Sequence, residues 1–200
     1  MKAVITADII NSREVSPEIW LNTLKSTLLN IGEEYSVWEV FRGDSIQMII
    51  EPQKALEVAV LLKSAIKQIP NIDIRIGIGI GEVTYQSEKV TTSNGPAFVN
   101  AGEAFDGLKK STLFIKTPWG DFDKTINIML NLATLTMDYW KPAMAEIVYE
   151  QLQNPESKQI EIAQALNKKQ SNVSYSLKKA GYEEIQDCLQ FYKQQIGGLC

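Results

Sequence analysis

The stretch Ile72-Asp73-Ile74-Arg75-Ile76-Gly77-Ile78-Gly79-Ile80 decides the fold. Isoleucine fills every even position, so a strand here has one wholly apolar face and a second face that is polar and then bare. The β-branched run favours extended backbone, and the glycines let another backbone or a ligand approach closely. Pro70-Asn71 stops the segment in front of it, Pro52 to Ile69, which reads as an amphipathic helix. Further toward the N-terminus, Ser36 to Phe41 and Ser45 to Ile50 read as strands meeting at a tight Arg42-Gly43-Asp44 turn. Ser16-Pro17-Glu18 opens a helix with Ser16 as N-cap, apolar Ile19, Trp20, Leu24, Leu28 and Ile31, and an end at Gly32. Lys2 to Ile10 is a short, apolar, β-branched strand. The order is βαββαβ, a ferredoxin-like arrangement, which predicts one layer of sheet with helices on one face.

On the other side of the isoleucine stretch, Asn94-Gly95-Pro96 is a turn that starts a helix from Ala97 to Lys110. Leu113 to Lys116 reads as an edge strand. From Asp121 the pattern is helical, interrupted at Trp140-Lys141-Pro142 because Pro142 starts a helix more readily than it continues one. The chain is therefore expected to be α+β over residues 1–121, a helical connector over 122–141 and all-α over 142–200. Trp20 and Trp38 are expected in the core, and Trp119 and Trp140 over the seam between the two regions.

Lys158 to Leu166 and Lys168 to Ala180 read as two helices around an Asn167 turn, with Ile162, Ala163, Leu166, Val173 and Leu177 inside. Ala163 is small enough for the helices to cross closely. The pattern resembles a helix-turn-helix of the winged, sigma-like or MarR-like kind. The residues expected to meet double-stranded DNA are Lys168, Lys169, Gln170, Ser171, Asn172, Ser174, Tyr175, Lys178 and Lys179. Gln and Asn pair bidentately with adenine, and lysines meet phosphates. Glu156 to Tyr182 holds five lysines and two glutamates, a net +3, so the remainder of this −4 chain carries −7. The competing reading is a plain helical hairpin with a solvated face. Glu183 to Ile196 reads as helix, not β-wing, and offers a dimerisation element.

Composition removes several classes of function. Two hundred residues with 44% hydrophobic and 22% charged side chains exclude a disordered tail, a collagen-like repeat and a disulfide miniprotein. The absence of histidine removes Ser-His-Asp and imidazole-metal chemistry. Cys188 and Cys200 lack CxxC spacing, which fits a reducing compartment and neither a zinc site nor a disulfide framework. The most apolar helix candidate, Leu56 to Ile66, carries Glu57 and Lys63 and falls short of the roughly 20 apolar residues of a membrane span. No signal-peptide core precedes the first strand, so a cytoplasmic protein without membrane contact is expected.

Two aspartates carry the chemistry. Asp8 stands at the end of the first strand and Asp44 in the hairpin turn, and a βαββαβ sheet brings both to one edge. Carboxylates held a few ångströms apart repel unless a cation lies between them, and hard oxygen donors suit Mg²⁺ or Mn²⁺. The turn from Ile9 to Ser16, with Asn11, Ser12 and Arg13, offers backbone N–H groups and the following helix dipole to a triphosphate. An aspartate in a β-turn often serves turn geometry alone. Asp8 follows a nearly continuous apolar run and is costly to bury without a partner. Arg75 has Asp73 and Glu82 as possible ion-pair partners along its strand.

Asp8-Ile9, Gly43-Asp44, Arg75-Ile-Gly-Ile-Gly-Ile-Gly-Glu-Val83 and Gly95-Pro-Ala-Phe-Val-Asn-Ala101, in that order, resemble the catalytic palm domain of class III nucleotide cyclases. Asp8-Ile-Ile-Asn-Ser-Arg13, Arg42-Gly-Asp-Ser45 and Gly95-Pro-Ala-Phe98, followed by the helix-turn-helix, resemble the SatD family more closely. The resemblance implies that Asp8 and Asp44, with the Ile9 carbonyl, hold two metal ions, and that Asn100 orients a ribose. It also implies a homodimer. Ala104 stands where the cyclases carry a charge-stabilising arginine, and Val40 where they carry a base-selecting lysine. Arg13, Arg42 and Arg75 are the candidates to replace that arginine. Without it phosphoryl transfer lacks a large electrostatic contribution. The expectation is a DNA-binding regulator whose palm binds a metal-nucleotide as a sensor. The alternatives are a nucleotidyl cyclase or oligonucleotide synthase using Asp8 and Asp44, and a degenerate palm kept as a dimerisation scaffold.

Overall fold

The computed structural model describes residues 1–109 and 111–200; Lys110, the expected end of the helix from Ala97, lies outside the described residues. Strands β1 (Lys2–Ile10), β2 (Trp38–Phe41), β3 (Ser45–Ile50), β4 (Asp73–Gly81) and β5 (Leu113–Lys116) form one sheet in the order β2-β3-β1-β4-β5. β1 runs antiparallel to both β3 and β4, and β5 joins β4 in parallel at the edge. The β2–β3 hairpin turns through Arg42 at φ 52° and Gly43 at φ 95°, left-handed backbone that matches the twist of a tight hairpin.

Register sorts the residues between the two faces. Ala3, Ile5, Ala7 and Ile9 stand beside Ile80, Ile78, Ile76 and Ile74, and all eight are buried. Helices α1 (Pro17–Leu29) and α2 (Ala55–Ile66) cover this apolar face, contributing Trp20, Leu24 and Leu28 and most of the apolar side chains of α2 to one core. Behind it, Val4 and Thr6 lie beside Gly79 and Gly77. Helix α3 (Pro96–Asp106) rests directly on that glycine stripe. A Cβ at Gly79 would lie 2.0 Å from the Ala101 nitrogen, and one at Gly77 2.5 Å from the Phe105 nitrogen. The expectation of helices on one face is thus corrected: the bare half of the isoleucine strand takes a helix backbone, because only glycine leaves room for it.

The remaining helices are α4 (Gly120–Met137), α5 (Pro142–Gln153), α6 (Gln159–Ala165), α7 (Gln170–Ala180) and α8 (Tyr182–Leu199). The expected connector is α4 with the turn after it, and Phe122, Ile126, Leu130 and Met137 bury its inner side. Trp140 is buried where Pro142 begins α5, its indole donating to the Ala180 carbonyl at 3.1 Å. One cluster of buried residues runs from the sheet to Ile196. Tyr192 of α8 donates its hydroxyl to the Pro52 carbonyl at 2.7 Å, and α5 packs on α2.

Several boundaries move. α1 ends at Leu29, short of Gly32, because the chain turns there and Trp38 donates its indole to the Gly32 carbonyl at 2.8 Å. β2 begins at Trp38, two residues after Ser36. Pro52–Lys54 is a 3₁₀ turn ahead of α2. α3 ends at Asp106, capped by Gly107. Lys168 and Lys169 precede α7, and α8 runs on to Leu199. No helix among the described residues is long and apolar enough to cross a membrane.

Candidate functional site

Asp8 stands opposite Ser45 on one side and Arg75 on the other. Asp44 immediately precedes Ser45, and its carbonyl accepts the Ile9 N–H at 3.2 Å, so the hairpin turn is tied to the end of β1. Both aspartates therefore meet at one end of the sheet. Each carboxylate has a partner: Arg75 donates to Asp8 Oδ2 through Nε at 3.2 Å and Nη2 at 2.9 Å, and the Ser12 hydroxyl donates to Asp44 Oδ2. Burial pushes the Asp8 carboxyl above its ordinary range, the Arg75 hydrogen bond draws it back, and the charge of Asp44 raises it again.

Arg75 is the residue that sequence reasoning misplaced. It pairs with neither Asp73 nor Glu82, because antiparallel register sets it directly across from Asp8 on the same face. Its guanidinium lies 4.9 Å from the centre of the Phe105 ring, which fixes its orientation from the α3 side. Asp73 turns instead to Lys63 and Lys67, at 2.9 and 3.2 Å. Lys63 is almost completely buried and also meets Asp138 at 2.7 Å and the Thr112 hydroxyl at 2.9 Å. The signal for this cluster was the charge interrupting an otherwise apolar helix.

A cleft of about 440 Å³ opens beside the pair, lined by Asp8, Ile9, Asn11, Arg75, Lys109 and Thr112 among others. Nothing in the sequence singled out Lys109 or Thr112, since only the chain passing from α3 to β5 carries them there. Asn11 adopts left-handed backbone at φ 60° and donates its amide to the Asn71 carbonyl at 3.1 Å. Arg13 and Arg42 are exposed near the same edge, Arg42 against the Phe41 ring at 5.9 Å. Asn100 is elsewhere. Its amide donates to the Ile80 carbonyl at 2.7 Å, five strand residues from Arg75 and roughly 17 Å along the sheet. Ala104 is fully buried on the inner side of α3.

The carboxylate pair offers hard oxygen donors, the chemistry that Mg²⁺ and Mn²⁺ favour. Only one Asp8 oxygen is occupied by Arg75, so the donor set fits such a cation. Among the described residues no cluster of three or more His, Cys, Asp and Glu side chains has metal-binding geometry, so further ligands would come from water, the Ile9 carbonyl or a phosphate.

In the C-terminal helices, α7 packs on α5 and α6 through Val173, Leu177 and Ala180. Lys169, Gln170, Ser171, Asn172, Tyr175, Lys178 and Lys179 are exposed. Lys168 is half-buried against Glu146 at 2.8 Å, and Ser174 is half-buried at the side of α7. Lys179 lies over the Tyr175 ring at 5.8 Å.

The model of the SatD family matches residues 2–185. The comparison with curated proteins gives no match.

Proposed function

The chain belongs to the SatD family, and on that premise we propose that it is a DNA-binding regulatory protein that senses a nucleotide. Residues 1–121 are read as a ferredoxin-like, cyclase-like palm, and α6–α7 as a helix-turn-helix. The observation that carries the reading is the meeting of Asp8 and Asp44 at one end of the sheet, where Asp8 lines a cleft together with Arg75 and Lys109. Carboxylates beside two bases match a phosphate chain bound together with a divalent cation.

In this reading Asp8, Asp44 and the Ile9 carbonyl hold Mg²⁺ or Mn²⁺, which supplies positive charge to the phosphates. Arg75 neutralises Asp8 in the absence of a cation and turns to a phosphate oxygen when one is bound. Asn11, Ser12 and Arg13 lie where the following α1 dipole favours anions, and Arg42 extends the basic rim. Asn100 takes no part in the cleft of its own chain. The exposed residues of α7 reach DNA, Lys178 and Lys179 meeting phosphates and Gln170 and Asn172 reading base edges.

The test is a thermal-shift panel of the four nucleoside triphosphates and the common cyclic nucleotides, with and without Mn²⁺, on wild type and Asp44→Asn. The expected result is stabilisation that requires nucleotide and metal together and disappears in Asp44→Asn. At a ligand concentration one hundred times Kd it should reach about 2.7 kcal/mol. No shift with any combination overturns the nucleotide reading. Mass spectrometry of the same mixtures separates a sensor, which leaves the nucleotide intact, from an enzyme, which converts it.

A further inference from the structure

Helix α4 is apolar on two opposite sides. Phe122, Ile126, Leu130 and Met137 face the core, while Ile128, Leu132, Leu135 and, just past its end, Tyr139 face outward with 63–77% of their surface exposed. The outward residues recur at i, i+4, i+7 and i+11, the spacing of a helix–helix seam. Between Ile128 and Tyr139 no charged side chain stands on that exposed stripe. The outward stripe lies opposite the buried one and has no cover within its own chain.

We infer that this stripe is the contact between two copies of the chain, related by a two-fold axis passing between Leu132 and Leu135. Antiparallel pairing about that axis sets Leu132 against Leu135 of the partner subunit, and Ile128 against Tyr139 of the partner subunit. The stripe is therefore complementary to itself, as an isologous interface demands. The antiparallel alignment also sets the two α4 dipoles in opposition.

Area agrees as well. The four side chains expose on the order of 500 Å², at the upper end of what a monomer leaves uncovered. A crevice of about 480 Å³ borders the stripe, with Met129, Leu132, Ala133 and Ile185 on one side and Lys178, Lys179 and Glu184 on the other, so the apolar patch ends there. The stripe alone supplies more than half of the roughly 800 Å² per partner of a standard interface. The element expected to dimerise from sequence was the last helix, α8; its apolar residues Ile185, Tyr192 and Ile196 are instead spent on the core. The pairing is independent of whether the cleft binds a nucleotide.

Sedimentation velocity over a dilution series tests it, using the full chain. Wild type should sediment as a dimer, and Leu132→Glu/Leu135→Glu and Leu132→Lys/Leu135→Lys should each sediment as monomers with unchanged circular dichroism. Mixing the Glu and Lys variants should restore the dimer, because each acid then meets a base across the axis. A monomeric wild type, charged variants that stay dimeric, or a mixture that stays monomeric each overturn the inference. The first outcome would assign the stripe to a different protein, and the second would place the dimer contact elsewhere.

Discussion

At the scale of single residues, Asp8 is poised between opposing charges. Arg75 bonds one of its oxygens, while burial and Asp44 disfavour its ionised form. A carboxyl whose pKa is raised by folding binds its proton more tightly in the folded chain. Its contribution therefore favours the fold at low pH and is lost as pH rises through the raised value. Asp8→Asn should gain on wild type as pH climbs from about 3 to about 7, by no more than ~1 kcal/mol given the partial exposure of the pair. Paired melting curves across that range check it; a wild type that gains on the variant would contradict the assignment. In the same variant, Mn²⁺ affinity should fall while the fold persists. At Cys188 burial acts alone and pushes the thiol up to about 11, so it behaves as a core residue and not a nucleophile.

At the scale of elements, the contact between α3 and β4 depends on missing side chains. Gly79→Ala would drive a methyl into the α3 backbone at Ala101, which cannot move as a flexible side chain does. We expect a loss of 3 kcal/mol or more, on the order of a severe overpacking. Gly102→Ala, on the same helix with nothing within 4 Å of the added carbon, should instead stabilise by roughly 0.5–1 kcal/mol. Denaturant melts of the two variants distinguish close packing from a general intolerance of change in α3. On α7, Lys169→Ala with Lys178→Ala should weaken binding to any duplex. The slope of log affinity against log salt should flatten by about two contacts' worth, ~1.8. An unchanged affinity and slope in a salt titration would remove DNA from the account.

At the scale of the whole molecule, the sheet and the C-terminal helices share one hydrophobic cluster, and the Tyr192 hydroxyl reaches back to Pro52. Tyr192→Ala should therefore lower a single cooperative transition by about 3–5 kcal/mol, sheet and helices together. Calorimetry showing a separate early transition for the helices would contradict that coupling. The alternating isoleucines, the Pro and Gly stops and the spacing of Ile162, Ala163, Val173 and Leu177 fixed where nearly every strand and helix lies, because periodicity is a local property of the chain. The convergence of Asp8 and Asp44 was legible too, since a hairpin and a strand end are near in sequence order. The pairing of Arg75 with Asp8, the burial of Lys63 among Asp73 and Asp138, the seating of α3 on the glycines and the exposure of the α4 stripe were not. Each depends on which face a distant element covers. Strand register and helix packing decide that, because a side chain finds its partner only after the chain has been brought together.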